Sequence, residues 1–337
     1  MISNRDDKSY VFASTMVRSV EKNLLTKERA ESLLDCNTPE DAIKFLIDLG
    51  YGKGAEEIEA KDFERLLSEE IKKVYDFIKG IAPNEAKLYA FLYPYDYHNL
   101  KVLMKAEFLE SDPEPYLIDD IGTIDVNELQ IMLRERNFVG MTDNMKNGVL
   151  EVVDVYSRTN DPQVIDLIFD KYCYKEMKES AEKTNNSYIK GYVSLLIDTI
   201  NLKTFVRLRE MKKNWDFFSQ VFIDGGKIQE KLFVTNYDEP YEQFAERLIP
   251  YGLSRAMAEG GSALRETGKF TVLEKLCDDS IMHYAKSAKY VSFGIEPLAA
   301  YLIAKEAEIR TVRIIMTGLL QGLSRQMMVE RLRETYA

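Results

Sequence analysis

The chain has 337 residues, of which 45% are hydrophobic and 30% are charged, and its formal net charge is −11 at pH 7. This hydrophobic fraction can build a packed core, so the composition excludes an intrinsically disordered chain. An acidic chain without a cluster of lysine and arginine repels phosphate groups, which argues against nucleic-acid binding and against unaided adhesion to an anionic membrane surface.

Neither the apolar segments nor the cysteines indicate a membrane-inserted or secreted protein. The longest run without a charge, Ile314–Ser324, is shorter than the roughly 20 residues that a spanning helix needs. The N-terminus lacks the layout of a secretory signal. Cys36, Cys173 and Cys277 are isolated and odd in number, which is typical of reduced thiols. We therefore predict a cytoplasmic chain with no direct membrane insertion.

Helix signals dominate the first third of the sequence. Thr38 offers a capping hydroxyl and is followed by Pro39 at the first helical position. Further along, apolar residues recur at spacings of three and four, which is the periodicity of an amphipathic helix: Leu100, Leu103, Met104 and Phe108. The segment Asp112-Pro113-Glu114-Pro115 then marks a short, stiff joint.

Helical patterns continue through the rest of the chain. Asp161-Pro162 gives another capping side chain followed by proline, and a second joint lies near Asn214-Trp215. The best candidate for a β-strand is Leu150–Ser157, but helical patterns flank it on both sides. We therefore predict an all-α fold.

One amphipathic segment occurs twice, and a weaker version occurs a third time. Asp96 opens "DYHNLKVLMKAE" and Asp198 opens "DTINLKTFVRLRE". Lys305 opens "KEAEIRTVRIIMT", which departs from the pattern at Lys305 itself and at Glu308. Because the matching apolar residues share one helical face, they are expected to lie in a core: Leu100, Leu202 and Ile309.

Two further landmarks keep the same order and nearly the same spacing. "DPQVIDLIFDKYCYKEMK" from Asp161 resembles "KFTVLEKLCDDSIMHYAK" from Lys269. "IDDIGTI" from Ile118 resembles "IDGGKI" from Ile223 with one residue deleted, and a weak counterpart lies near Asn23-Leu24-Leu25. The alternative explanation is that helical sequences resemble one another by composition alone.

These landmarks divide the chain into three helical repeat units, at residues 1–112, 113–214 and 215–337. Solenoid repeats are about 20–50 residues long, so units of this size are better interpreted as small helical bundles. Three such bundles could be arranged in a line or around a pseudo-threefold axis.

Sequence motifs for chemistry are weak. "GYGKGAEE" at Gly50 and "GGKI" at Gly225 lack the glycine, lysine and hydroxyl pattern of a phosphate-binding loop, and we interpret both as turns. His98 and His283 lack metal-ligand spacing. We predict no catalytic, cofactor-binding or metal-ligating residue and no cofactor.

Two aspartate pairs match a magnesium motif only in part. Asp119-Asp120 and Asp278-Asp279 lack the further aspartate, three residues after the pair, that an all-α prenyl-diphosphate enzyme would use. We interpret both pairs as charges at helix termini.

Five charged residues remain as candidate contacts with a partner. Lys101, Lys203 and Arg310 share one column of the repeat, while Glu308 and Arg313 interrupt apolar stretches near the C-terminus. The basic column could face an acidic partner or could pair with carboxylates inside each bundle. The C-terminal charges could lie on a solvated face or could pair between helices or subunits.

The C-terminal region resembles a known family. Phe293-Gly294-Ile295-Glu296-Pro297 and the stretch "AYLIAKEAEIRTVRII" after it resemble the C-terminal signature of the C subunit of V-type (A/V-type) ATP synthases, the counterpart of the d subunit of eukaryotic vacuolar ATPases. The segments at Asp96 and Asp198 and the N-terminal "YVFASTMVR" at Tyr10 resemble other parts of that family.

The resemblance implies an all-α funnel of three similar bundles about a pseudo-threefold axis. It implies a non-catalytic central-stalk (rotor) subunit, peripheral to the membrane, that couples the central shaft to the proteolipid ring for ATP-linked proton or sodium transport. Its partners would be the central-shaft subunits and that ring. The alternatives are a helical adaptor unrelated to rotary motors and, less favoured, an all-α enzyme.

Overall fold

The computed structural model describes residues 8–52 and 58–337. Over these ranges it contains α-helices and short 3-10 turns but no β-strand, which confirms the all-α prediction. The helices in chain order are α1 (Val11–Glu21), α2 (Lys27–Leu34), α3 (Pro39–Asp48), α4 (Phe63–Ile81), α5 (Tyr89–Leu109), α6 (Val126–Glu135), α7 (Asp143–Thr159), α8 (Gln163–Lys183), α9 (Ser187–Glu210), α10 (Trp215–Val221), α11 (Glu230–Thr235), α12 (Tyr241–Arg247), α13 (Ser254–Thr267), α14 (Thr271–Lys286), α15 (Ile295–Leu320) and α16 (Arg325–Val329).

The predicted helix starts are present in the structure. Thr38 accepts a hydrogen bond from the amide of Asp41 at 3.1 Å and so caps α3. At α8 the prediction is off by one residue: Pro162 is the N-cap rather than the first helical residue, and Asp161 accepts from the amide of Gln163, where the helix begins, at 2.9 Å. The strand candidate Leu150–Ser157 lies inside α7, where helical spacing buries one face, so it is not a strand.

Two compact units make up the chain. The terminal unit combines Met1–Pro83 with Asp238–Ala337, and the central unit is Asn84–Tyr237. Their boundaries differ from those of the sequence repeats because packing and similarity are different criteria. Within the central unit α5 packs against α8, and within the terminal unit α15 packs against α4. The division into three repeats stays a prediction.

The core of the terminal unit forms around α15. This helix contacts α1, α4 and α14, and its side chains are buried on most of its circumference. A helix that is apolar nearly all round needs neighbours on several sides, which explains why segments from both ends of the chain surround it. Full burial of each large aliphatic side chain contributes about 1.5–3 kcal/mol.

The core of the central unit forms around α8, which contacts α5, α7 and α9. A second apolar cluster joins α9 to the two short helices that follow it. The ring of Phe205 lies 5.7 Å from that of Phe218 and 5.3 Å from that of Phe233. Short helices have little stability of their own. These aromatic contacts therefore stabilise α10 and α11 by packing them against α9.

Within residues 8–52 and 58–337, no helix combines the length and the apolar character needed to cross a membrane.

Candidate functional site

The first copy of the repeated segment holds the loop that follows its helix. Asp96, on α5, is 1% exposed. Its carboxylate accepts hydrogen bonds from the amide of Thr123 at 2.9 Å, from the Thr123 hydroxyl at 2.7 Å and from the amide of Ile124 at 3.3 Å. One turn along, Asn99 donates to the carbonyl of Ile118 and accepts from its amide, both at 2.9 Å. We call these contacts the first clasp.

The second copy makes the same contacts. Asp198, on α9, accepts from the amides of Lys227 at 3.0 Å and Ile228 at 2.9 Å. Asn201 donates to the carbonyl of Ile223 at 2.8 Å and accepts from its amide at 3.0 Å. These contacts form the second clasp. The two sequence landmarks, Asp-x-x-Asn and the Ile-Asp loop, are therefore two halves of one repeated interaction.

A glycine is required in each clasp. A Cβ atom on Gly122 would lie 2.5 Å from Oδ1 of Asp96, and one on Gly226 would lie 2.1 Å from Oδ1 of Asp198. Both distances are far below van der Waals contact. The loops can approach their carboxylates only because these positions have no side chain. The interpretation of "GGKI" as a turn is thereby confirmed.

Burial makes both clasp aspartates weaker acids. Desolvation raises the pKa of Asp96 to about 6, although the hydrogen bonds from Thr123 and Ile124 act in the opposite direction. Desolvation likewise raises the pKa of Asp198, against the hydrogen bonds from the amides of Ile228 and Lys227. The two carboxylates are thus held mainly by hydrogen bonds from their own loops, with the Lys227 ammonium adding an attraction at Asp198, which indicates a structural task for both residues.

The third copy forms an ionic cluster instead. Lys305 and Glu308 of α15 stand at the positions of the clasp Asp and Asn, and both are buried. The ammonium of Lys305 lies 2.7 Å from Glu308 and 2.9 Å from Glu70 of α4. Glu308 also accepts hydrogen bonds from the Tyr51 hydroxyl and, at 2.6 Å, from the amide of Leu25. We call Lys305, Glu308, Glu70 and Tyr51 the Lys305 cluster.

Electrostatics keep the Lys305 ammonium charged. Burial by itself lowers the pKa of Lys305, but the carboxylates of Glu308 and Glu70 outweigh burial and hold this pKa above its ordinary value. Burial and the neighbouring Glu308 carboxylate raise the pKa of Tyr51 well above its usual range, so the phenol stays a hydrogen-bond donor. Lys73 adds a second ammonium at the more exposed side of Glu70. Every charge in the cluster therefore faces an opposite one, as buried ions require.

The candidate partner residues lie in unlike environments. Lys101 forms an ion pair with Asp170 of α8 at 2.5 Å, Lys203 is half-buried, and Arg310 is exposed. Arg313 pairs with Glu64 of α4 at 2.8 Å. The apolar column beside the basic one is buried, as predicted: Leu100, Leu202 and Ile309. Pairing within the fold thus accounts for Lys101, Arg313 and Glu308, and partner contact for any of the five stays a prediction.

The remaining sequence interpretations have mixed outcomes. His98 contacts the carbonyl of Tyr116 at 2.9 Å, and His283 is exposed on α14. The interpretation of the aspartate pairs as helix-terminal charges is wrong. Asp119-Asp120 lies in the loop before α6, and Asp278-Asp279 lies inside α14, where Asp278 pairs with Arg333 at 3.1 Å. The "GYGKGAEE" segment falls partly outside the described residues.

Sequence reasoning missed Glu70, Tyr51 and the two clasp glycines. The glycines could have been found, since "GTI" and "GKI" end the two loops that already matched. Glu70 and Tyr51 carry no such signal, because they lie in segments without a repeated polar pattern. Among the described residues, no cluster of His, Cys, Asp and Glu has an arrangement that could hold a metal ion.

Comparisons with known proteins give a consistent result. A model of the family described as ATP synthase (C/AC39) subunit matches residues 13–331. The C subunit of the V-type sodium ATPase of Enterococcus hirae is 25% identical over 321 residues, covering 95% of this chain and 97% of that protein. The C subunit of the A-type ATP synthase of Methanocaldococcus jannaschii is 24% identical over 333 residues, covering 93% and 84%. That of Methanosarcina acetivorans is 25% identical over 340 residues, covering 96% and 92%.

Proposed function

Because this chain belongs to the ATP synthase (C/AC39) subunit family, we propose that it is a non-catalytic central-stalk subunit of a V/A-type rotary ATPase. In this proposal it couples the central shaft to the membrane proteolipid ring, so that ATP turnover and the transport of protons or sodium ions proceed together. The observation that carries the proposal is the family match over residues 13–331, which covers both compact units rather than one of them.

The packing of the long helices supports a mechanical role. A body that transmits torque must resist bending, and close-packed protein interiors transmit strain because they compress little. In the central unit, α5 and α8 are joined by Lys101–Asp170 and by Lys105–Asp166 at 2.7 Å. In the terminal unit, ion pairs of Lys305 and Arg313 join α15 to α4. Each unit would therefore move as a body.

The two clasps support the same role for the loops. Loops are ordinarily the most mobile parts of a protein. The loops 118–124 and 223–228 are instead fixed at both ends to α5 and α9 by buried side chains. A loop that is fixed at both ends can transmit a force to its helix without first changing its conformation.

We further propose that the sequence repeats form three bundles about a pseudo-threefold axis, with the shaft held by the funnel and the ring beneath it. The protein would be peripheral to the membrane, and the sites for nucleotide and transported ion would lie on other subunits. Among the five candidate partner residues, Arg310 and Arg313 have exposed side chains, and Arg313 already pairs with Glu64, so Arg310 is the better placed for a contact. The adaptor alternative has no support from the relatives named above, which are subunits of ATPases or ATP synthases.

A flexible insertion tests the coupling. The joint at Asp112–Pro115 is ordered, with Asp112 accepting from the amide of Glu114 at 3.1 Å and Pro113 from the amide of Tyr116 at 2.9 Å. A Gly-Ser linker inserted there should leave ATP hydrolysis by the reconstituted complex intact but reduce ATP-driven ion uptake into vesicles at least tenfold. An insertion of equal length made of alternating Ala and Pro, which is stiffer, is the matched control.

Equal ion uptake per ATP with and without the flexible linker would show that coupling does not need a stiff joint at Asp112–Pro115. Purification of the tagged chain adds a separate test, because a central-stalk subunit should retain shaft and ring subunits in detergent. A tagged chain that retains neither would favour the adaptor alternative.

A further inference from the structure

Three buried carboxylates each accept a hydrogen bond from the amide that precedes a short helix. Asp96 accepts from the amide of Ile124, Asp198 from that of Ile228, and Glu308 from that of Leu25, at 3.3, 2.9 and 2.6 Å. Each donor is an apolar residue that directly precedes the N-cap of a short helix. These N-caps are Asp125 of α6, Gln229 of α11 and Thr26 of α2. The three contacts thus fix the start of three helices to the long helix that bears the carboxylate.

The third carboxylate stands at a different position of the repeat. Asp96 and Asp198 occupy its first position, and Lys305 occupies that position in α15. Glu308 lies three residues later, at the position of Asn99 and Asn201, which is nearly one helical turn along the same face. Its longer side chain still brings a carboxylate oxygen to the amide of Leu25.

The moved carboxylate needs a different set of donors. In the first two clasps, consecutive backbone amides supply at least two hydrogen bonds to the carboxylate. In α15 the amide of Leu25 is the single backbone donor to Glu308 among the described residues, and the Tyr51 hydroxyl and the Lys305 ammonium also donate. A buried carboxylate that loses an amide donor must gain another partner, and a cation at the vacated position supplies it.

We propose that Glu308 is the third clasp carboxylate, displaced by one helical turn, and that the pair Lys305–Glu308 positions the start of α2 on α15. The departure of the third copy from the repeat is therefore a coupled exchange. The Asp and Asn of the first two copies carry a net charge of −1, whereas the Lys and Glu that replace them form an ion pair with no net charge. Glu70 of α4 balances the ammonium from the other side.

With this assignment, the same kind of contact links each repeat to the next one. The helix that ends the first repeat holds the start of a helix in the second, and the helix that ends the second holds one in the third. In the third repeat the corresponding long helix, α15, which only the short α16 follows, holds α2, and α2 lies in the first repeat. The chain would thus use one kind of contact at every transition, including the return from its last repeat to its first. The inference does not depend on the rotary function.

Amide hydrogen exchange of the full-length chain tests the proposal. Glu308→Ala should speed exchange in peptides covering residues 22–30 at least tenfold, and Asp198→Ala should do so for residues 224–232. Each effect should be confined to its own segment. Arg313→Ala, which removes an exposed ion pair from the same helix, is the matched control and should change neither segment.

The conservative variant separates positioning from bulk packing. Glu308→Gln combined with Lys305→Met keeps a carbonyl acceptor for Leu25 and removes both charges, so it should restore slow exchange at residues 22–30. If Glu308→Ala does not fold, this double variant is compared with Glu308→Leu combined with Lys305→Met, which lacks the acceptor. Exchange at residues 22–30 that is equal with and without the acceptor, or that rises uniformly along the chain, overturns the assignment.

Discussion

The amide of Ile228 donates a hydrogen bond to the carboxylate of Asp198 over 2.9 Å, and both residues are 1% exposed. This bond joins residues 30 positions apart in the sequence and fixes the start of α11 to α9. Its counterpart between Asp96 and Ile124 shows that the repeated segment is a structural device. Changes to either pair should therefore alter the stability of the chain.

Removal of the Asp198 carboxylate should destabilise the chain. Asp198→Ala leaves the amides of Lys227 and Ile228 without their acceptor, and each buried unsatisfied group costs about 1–3 kcal/mol. We expect the free energy of unfolding, measured by urea denaturation, to fall by about 2–4 kcal/mol. Asp224→Ala, at an exposed aspartate in the same loop, should change it by less than about 0.5 kcal/mol. Equal effects of the two variants would refute the clasp.

A single methyl group added at Gly226, the glycine of the second clasp, should lower the free energy of unfolding. In Gly226→Ala the new Cβ would lie 2.1 Å from Asp198 Oδ1, so the loop must move away from α9. We expect a loss of about 1–3 kcal/mol, the usual range for overpacking. Gly80→Ala is the control, because Gly80 lies in α4 with nothing within 4 Å of the new atom. That change should stabilise the chain by about 0.5–1 kcal/mol in thermal or urea unfolding.

Stability should depend on pH through Asp96. Its pKa rises from 3.8 to about 6 on folding, so the folded state binds the proton more tightly than the unfolded state. The resulting stabilisation is fully present below pH 3.8 and is lost as the pH rises through 6. Relative to Asp96→Asn, which cannot ionise, the wild-type chain should lose about 2 kcal/mol between pH 4 and pH 7.

Urea unfolding of both proteins at four pH values in that range measures this difference, since other titrating groups cancel in the subtraction. A difference that stays constant with pH, or one that grows in favour of the wild type, would show that Asp96 does not titrate in this way.

The Lys305 cluster should show strong coupling between its charges. Lys305→Met leaves the buried carboxylates of Glu70 and Glu308 without their shared cation, which should cost about 3–5 kcal/mol. Adding Glu308→Gln should recover part of that loss, so the two changes are not additive. Arg313→Met breaks an exposed pair on the same helix and should cost less than about 1 kcal/mol. Additive losses in chemical denaturation would exclude the coupling.

Charge reversal should affect stability differently at Lys101 and at Arg310, the first and last residues of the basic column. Lys101→Glu places a carboxylate against Asp170, so we expect the isolated chain to lose about 1 kcal/mol of stability. Arg310→Glu changes an exposed residue and should alter the stability of the isolated chain by less than about 0.5 kcal/mol. In the proposed function it should nevertheless reduce co-purification of the partner subunits. Unchanged co-purification would remove Arg310 from the candidate contacts.

Local patterns in the sequence determined the fold class and much of the helix layout. Apolar spacing placed Leu100, Leu202 and Ile309 in a core, and Thr38 and Asp161 marked helix starts that the structure confirms. These features can be predicted because helix formation depends on residues within a few positions of one another. Internal comparison and the C-terminal signature likewise sufficed for the family, since both are properties of the linear chain.

Only the tertiary structure decided what the repeated polar residues do. The sequence repeated Asp96 and Asn99 but gave them no role until their loop partners were known. Lys305 and Glu308 looked like a loss of the repeat until Glu70 and Leu25 were found beside them, 235 and 283 residues away. No local rule joins residues at such separations. A buried charge is stable only with partners brought to it by packing, so its role is fixed when the whole core has formed.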